Sequence, residues 1–177
     1  FDNINVLSDI VYMDDNRYGD SAVLRDIIDI AALAYSRFDR ALALKLMDYF
    51  EISLKIRFQK LSKGMKTLFS LIIALASRSP LTMLDEPTTG LDAAHRREFA
   101  SLLLKDYSDH PRTFIISSHL ITELEGLMEQ VVLIDRGRLV FHKDIGDVQN
   151  YALYLTGHRK ILGEIEGRHR VISRQSM

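Results

Sequence analysis

Two rhythms of apolar and polar positions run along this chain: short unbroken apolar runs, and longer stretches with apolar residues three to four apart. Asp9-Ile10-Val11-Tyr12-Met13 is a short run rich in β-branched and aromatic residues and predicts a strand. Asp14 to Ser21 is turn chemistry throughout, with Ser21 placed to cap a helix over Ala22–Tyr35. Leu42, Leu46, Met47 and Phe50 fall at helical spacing and predict a second helix over Arg37–Phe50. Leu61-Ser62 opens a third, strongly apolar helix that runs to about Ser77. Pro80 interrupts, and Leu81-Thr82-Met83-Leu84 reads as a strand buried on both faces. A helix over Ala93–Asp106, a strand over Thr113–Ser117 and a short helix over Ile121–Glu129 follow. Val131–Ile134 and Leu139–His142 flank Asp135-Arg136-Gly137-Arg138, the pattern of a hairpin with a tight glycine turn.

Strand, helix, strand, helix, strand from Leu81 to Ile134 argues for a parallel α/β sheet followed by an antiparallel hairpin. Residues 22–58 contain helices and no strand, as expected of an inserted helical subdomain. The last twenty residues hold five Lys or Arg against two Glu, which suits a solvated extension. No internal repeat or low-complexity tract interrupts the pattern.

Composition removes several function classes. Twenty-three basic against 24 acidic residues leave a formal net charge of −1, too even for a global grip on nucleic acid or anionic lipid. With 47% hydrophobic residues the chain can build a real core. It has no cysteine, so no disulfide scaffold, thiolate metal site or Cys nucleophile. The longest apolar stretch, Leu68–Ala76, is about half the ~20 residues of a membrane-spanning helix, so a soluble chain is expected. No basic leader precedes an apolar run at the start, so no signal peptide is expected there.

The strongest chemical signal is Leu81-Thr82-Met83-Leu84-Asp85-Glu86-Pro87-Thr88-Thr89-Gly90-Leu91-Asp92. Its strand delivers two adjacent carboxylates to the carboxyl edge of a parallel sheet, where α/β folds bind ligands. Neighbours on a strand point in different directions and can take different work. One can hold Mg²⁺; the other can orient a water for attack on phosphorus. Asp85-Glu86 alone would suit an ordinary strand end with Asp92 as a helix cap; the whole string singles it out. The second signal is Leu61-Ser62-Lys63-Gly64-Met65-Lys66-Thr67, where Ser62 and Gly64 lie at a helix N-terminus whose free amides suit a phosphate. By itself this is also a Ser-capped amphipathic helix. It is not a P-loop, because the earlier Gly is missing and no strand leads into it. The third is His119 in Ser117-Ser118-His119-Leu120, able to donate to a phosphate oxygen. The other five histidines share no metal-ligand spacing with it.

In order and spacing these segments resemble the nucleotide-binding domain of ATP-binding cassette (ABC) proteins through about residue 145. Leu61–Met65 resembles the family signature, Leu81–Glu86 the Walker B strand with its catalytic Glu, Gly90-Leu91-Asp92 the D-loop, and His119 the switch His. The Ser-Lys-Gly-Met variant resembles the drug- and antibiotic-type exporter branch. The chain departs from the family in lacking the P-loop, the strands before it and the aromatic that stacks on adenine. Lys63 and Met65 replace the usual Gly and Gln, and Asp15 stands where the Q-loop Gln is expected.

The resemblance implies an α/β fold, a partial P-loop NTPase-like parallel sheet with an inserted helical subdomain and a C-terminal hairpin. It divides the chain into a core strand and Q-loop region over 1–21, a helical subdomain over 22–60, an α/β core over 61–147 and an extension over 148–177. It implies ATP and Mg²⁺ as ligands. Asp85 would hold Mg²⁺ through water, with Asp15 as a further candidate. Glu86 would polarise the attacking water, and His119 would contact the γ-phosphate. Ser62 and Gly64 would reach the ATP of a second nucleotide-binding domain in a head-to-tail dimer, with Asp92 supporting that interface. Hydrolysis would drive a transmembrane permease subunit touched by the helical block through Asp26, Asp29, Arg37 and Arg40, placing the chain in the cytoplasm at the inner face of the membrane. Export is the expected direction, and no nucleic acid is expected as a partner. Lacking a P-loop, the chain by itself would be inactive. The alternatives are a soluble ABC ATPase acting on ribosomes or DNA, and a non-catalytic interaction fragment.

Overall fold

The computed structural model describes residues 3–14, 18, 19, 21–119, 124 and 126–149. They fall into two compact units divided after Leu127.

The first unit is built around one helix. Ser62 caps it, its hydroxyl accepting the Met65 amide at 3.3 Å. Helix α4 then runs Lys63–Ala76 and buries an unbroken stretch from Thr67 to Ala76. A helix apolar all round belongs inside a core. It packs against a three-stranded sheet of β1 (Ile10–Met13), β2 (Leu81–Asp85) and β3 (Thr113–Ser117), all parallel, in the order β1-β2-β3. Val11, Thr82 and Phe114 share one register row, and Met13, Leu84 and Ile116 another; Val11, Met13, Thr82 and Leu84 are fully buried.

Between them lies the row Tyr12–Met83–Ile115, which faces the other way. Tyr12 is 43% and Ile115 50% exposed, and Met83 is half-buried. The burial on both faces expected of Leu81–Leu84 is therefore not met. Burial along β2 alternates, because α4 covers one face and the described residues put no comparable element on the other.

Two helices precede α4, after a short first helix α1 (Ile4–Leu7). Helix α2 spans Leu24–Ala34, two residues later than the sequence suggests and without the expected Ser21 cap. The backbone of residues 22–24 is engaged elsewhere. Phe58 donates its amide to Ala22 O, Leu24 donates to Ile56 O, and Val23 bridges Arg57. Helix α3 spans Arg40–Tyr49 and starts at Asp39, whose carboxylate accepts the Leu42 amide at 2.9 Å. A single 3₁₀ turn, Phe58–Lys60, leads into α4. Leu24, Ile28, Ala43, Leu46, Met47 and Phe58 join α4 and the sheet in one hydrophobic core. Helix α5 follows β2 over Ala93–Asp109, capped by Asp92.

In the second unit, β4 (Gln130–Asp135) and β5 (Arg138–Asp144) form the expected antiparallel hairpin. Its two loop residues, Arg136 and Gly137, both have positive φ, +46° and +73°, as a twisted two-residue hairpin turn requires. A short helix α6, Ile145–Gln149, follows. Residues 121–123 and 125 of the expected helix over 121–129, Asp15 in the loop after β1, and the extension beyond 149 lie outside the described residues. Among the described residues no helix is long and apolar enough to cross a membrane.

Candidate functional site

The site begins where β2 ends. Asp85 is the last residue of β2 and lies in register opposite Ser117, the last residue of β3. Ser117 Oγ donates to Asp85 Oδ1, and the Tyr12 hydroxyl from β1 donates to Asp85 Oδ2 at 3.1 Å. All three strands thus converge on one carboxylate at the carboxyl edge of the sheet. Donating to the Asp85 carboxylate raises the Tyr12 phenol above its usual range, this hydrogen bond being the main cause.

The next residue turns away. Glu86 has φ +46°, in the left-handed region. Its amide donates to Ser117 O at 3.1 Å and to Ser117 Oγ at 3.0 Å, and its carboxylate takes a separate partner. Both Glu86 oxygens lie 2.9 Å from His119 Nδ1. An ionised carboxylate only accepts, so Nδ1 carries a proton. The His119 side chain is 70% exposed. Its Nε2 can then donate to an incoming oxygen anion only as the imidazolium. Adjacent carboxylates with different partners are the arrangement that the Asp85-Glu86 pattern predicts.

Pro87 to Asp92 carry the chain back onto α4. Thr89 N–H donates to Glu86 O at 3.0 Å and Leu91 N–H to Thr88 O at 3.2 Å, which curls the segment. Thr67 on α4 donates its hydroxyl to Thr89 O at 3.0 Å. Gly90 has φ +81°, and the Lys63 stem packs over it. Gly64 is the tightest point. A Cβ placed on it would lie 2.8 Å from the Gly90 carbonyl oxygen, closer than real contacts allow. Gly64 is thus required within the chain itself, in addition to any ligand its amide could meet. Asp92 caps α5 by accepting the Ala94 and His95 amides at 2.9 Å, and its other oxygen meets His95 Nδ1 at 2.9 Å. The His95 amide, and then its ring, hold the Asp92 carboxyl below the usual carboxylate range.

Two groups of predicted residues therefore emerge. Asp85, Glu86 and His119 are brought together at the sheet edge. Ser62, Gly64 and Asp92 are gathered where α4 meets the Gly90 turn, and no hydrogen bond among the described residues joins Ser62 to the first group. Tyr12 and Ser117 escape a sequence reading. Only the parallel register sets them beside Asp85.

The acidic edge fits Mg²⁺. Asp85 is held by two neutral hydroxyls, and no ion pair among the described residues cancels its charge. Among those residues no group of three or more His, Asp or Glu forms a protein cage. One carboxylate, with waters and phosphate oxygens completing the shell, is how Mg²⁺ is commonly bound.

Known proteins share this fold. A family model described as "AAA domain, putative AbiEii toxin, Type IV TA system" matches residues 15–125, more than half of the chain. The ABC transporter ATP-binding protein YtrB of Bacillus subtilis (strain 168) is 28% identical over 145 residues, 81% of this chain and 50% of the relative. This chain belongs to that AAA domain family and is similar to ABC transporter ATP-binding proteins. Mouse phospholipid-transporting ATPase ABCA3 (Mus musculus) is 39% identical over 84 residues, 48% of this chain and 5% of that relative. A solved structure described as "Structure of ATP binding subunit of ABC transporter" has the same fold. It superposes with a TM-score of 0.73 at 21% identity, covering 83% of this chain and 63% of that one. The α/β fold with a parallel sheet and a following hairpin is thus as expected. The chain spans about half the length of the Bacillus relative.

Proposed function

We propose that this chain supplies the hydrolytic edge and the signature helix of an ABC ATP-binding subunit that turns over ATP to drive a membrane permease. The observation that carries the reading is the Asp85–Glu86 pair at the sheet edge, one carboxylate on neutral hydroxyls and the other on His119. Asp85 would hold Mg²⁺, which when bound would neutralise phosphate charge during transfer. Glu86 orients the attacking water, and His119 keeps the Glu86 carboxylate in place while its far nitrogen faces the γ-phosphate. Ser62 and Gly64 at the α4 N-terminus meet the γ-phosphate held by a second, head-to-tail subunit, with Asp92 at that interface. Within residues 1–177 no Gly-x₄-Gly-Lys string occurs, so tight MgATP binding is not expected of these residues by themselves.

Transport enters from relatives named as a transporter ATP-binding protein and a phospholipid-transporting ATPase. A permease partner holds the subunit at the inner face of the membrane, and export is the direction proposed. Asp15 stands at the Q-loop position and is a further candidate near the metal. The deciding experiment is Glu86→Gln in the full-length protein. ATP binding should persist while hydrolysis falls by about 10²- to 10⁴-fold, the usual worth of a general base. Near-normal turnover would remove Glu86 from this role.

A further inference from the structure

We propose that Ser117 is the positioning residue of this site, its hydroxyl relaying between the Glu86 backbone amide and the Asp85 carboxylate so that metal grip and the backbone that carries the base are set together. The inference rests on the reading of Asp85 as the Mg²⁺ residue and Glu86 as the base. A hydroxyl has one hydrogen to give and two lone pairs to receive. Here the hydrogen goes to Asp85 Oδ1, and a lone pair receives the Glu86 amide at 3.0 Å. The chain runs one way, from Glu86 N–H through Ser117 O–H to the Asp85 carboxylate, and each bond polarises the next.

Both ends of the relay matter. With Tyr12 on Oδ2 and Ser117 on Oδ1, each Asp85 oxygen carries one neutral donor and keeps a lone pair for a metal or its water. At the other end, the Glu86 amide is shared between Ser117 Oγ and the Ser117 carbonyl oxygen at 3.1 Å, on a left-handed backbone that is uncommon for a residue with a side chain. That conformation brings both carboxylate oxygens within 2.9 Å of His119. The parallel register puts Ser117 directly opposite Asp85, so no neighbouring position can substitute. Only Ser or Thr both donates and accepts there with the right reach. Valine matches the shape of threonine and does neither.

The test compares Ser117→Val and Ser117→Thr in the full-length protein, with Mn²⁺ as the probe for Mg²⁺. Mn²⁺ affinity in the presence of ATP is read by electron paramagnetic resonance, beside turnover and thermal melting. Ser117→Val should weaken Mn²⁺ binding about tenfold, the worth of a hydrogen bond to a charged group, and lower turnover. Ser117→Thr should restore both, while the two variants melt alike. Wild-type Mn²⁺ affinity in the Val variant, or equal behaviour of Val and Thr, would overturn the relay. Glu86→Gln run alongside separates the two readings. It keeps the amide, so it should keep Mn²⁺ affinity while hydrolysis falls by about 10²- to 10⁴-fold. Wild-type turnover in Glu86→Gln would sink the functional reading alone, and loss of Mn²⁺ affinity in Ser117→Val would still stand for the relay.

Discussion

Gly64 shows how one position can serve two demands. Its amide sits at the start of α4, where a phosphate would be welcome, and its missing side chain admits the Gly90 carbonyl. A methyl group there meets backbone, which cannot swing aside as a flexible side chain would. Gly64→Ala should therefore displace the Gly90 turn and cost about 1–3 kcal/mol of stability, the usual range for overpacking. Urea melts of the variant and wild type measure this directly. An unchanged midpoint would mean that the turn yields freely. The need for glycine here is not legible from Leu61–Met65, because the crowding atom is twenty-six positions away in the chain. Lys63, which departs from the family pattern, is explained in the same way: its apolar stem lies over Gly90.

At the scale of elements, α3 is fastened to the core through its cap. Asp39 accepts the Leu42 amide and meets Arg78 at 3.3 Å, while its own amide donates to Ala76 O at 2.7 Å. The Leu42 amide first, and then Arg78, hold its carboxyl below the usual carboxylate range, against some desolvation. A lowered folded-state value means stability present above the unfolded value, about pH 4, and lost as pH falls through the folded one. Asp39→Ala should cost about 1 kcal/mol at neutral pH, typical of a lost cap, and flatten the decline of stability below about pH 4. Melts across that range decide it; an unchanged acid limb would separate Asp39 from the effect. Arg78 and Arg112 also converge on Asp106, which is 9% exposed at the end of α5. Asp106→Ala leaves two largely buried guanidinium groups facing each other and should destabilise by about 3–5 kcal/mol, checked by denaturant unfolding.

Across the first unit, the polar residues proposed to meet a partner are exposed but paired within the chain, and apolar residues lie bare on the same helical block. Arg40 donates to Asp29, and Arg37 lies 4.0 Å from Asp9, so three of the four have partners within the chain. Ile30 and Leu33 on α2 are bare, 64% and 88% exposed. In the proposed transporter, a photoreactive residue at Leu33 should crosslink to the permease, and Leu33→Asp should lower transport more than ATP turnover. Crosslinks to ribosomal components alone would favour the soluble alternative.

By itself the sequence determined the order of β1, α2, α3, α4, β2, α5, β3 and the hairpin, the hairpin turn and the string from Leu81 to Asp92 that carries the resemblance. Those features are local: apolar periodicity, a Ser or Asp at a helix start, a positive-φ turn and adjacent carboxylates all act over a few residues. Tertiary structure alone decided which strands lie side by side, and hence that Tyr12 and Ser117 hold Asp85, that His119 faces Glu86, and that Gly64 must admit Gly90. Ser21 lost its capping role for the same reason, since backbone pairing of residues 22–24 with 56–58 satisfied the groups that a local cap would have served. These contacts join residues up to seventy-three positions apart. Their geometry follows from sheet register and from packing around α4, and neither is written in any short stretch of the chain.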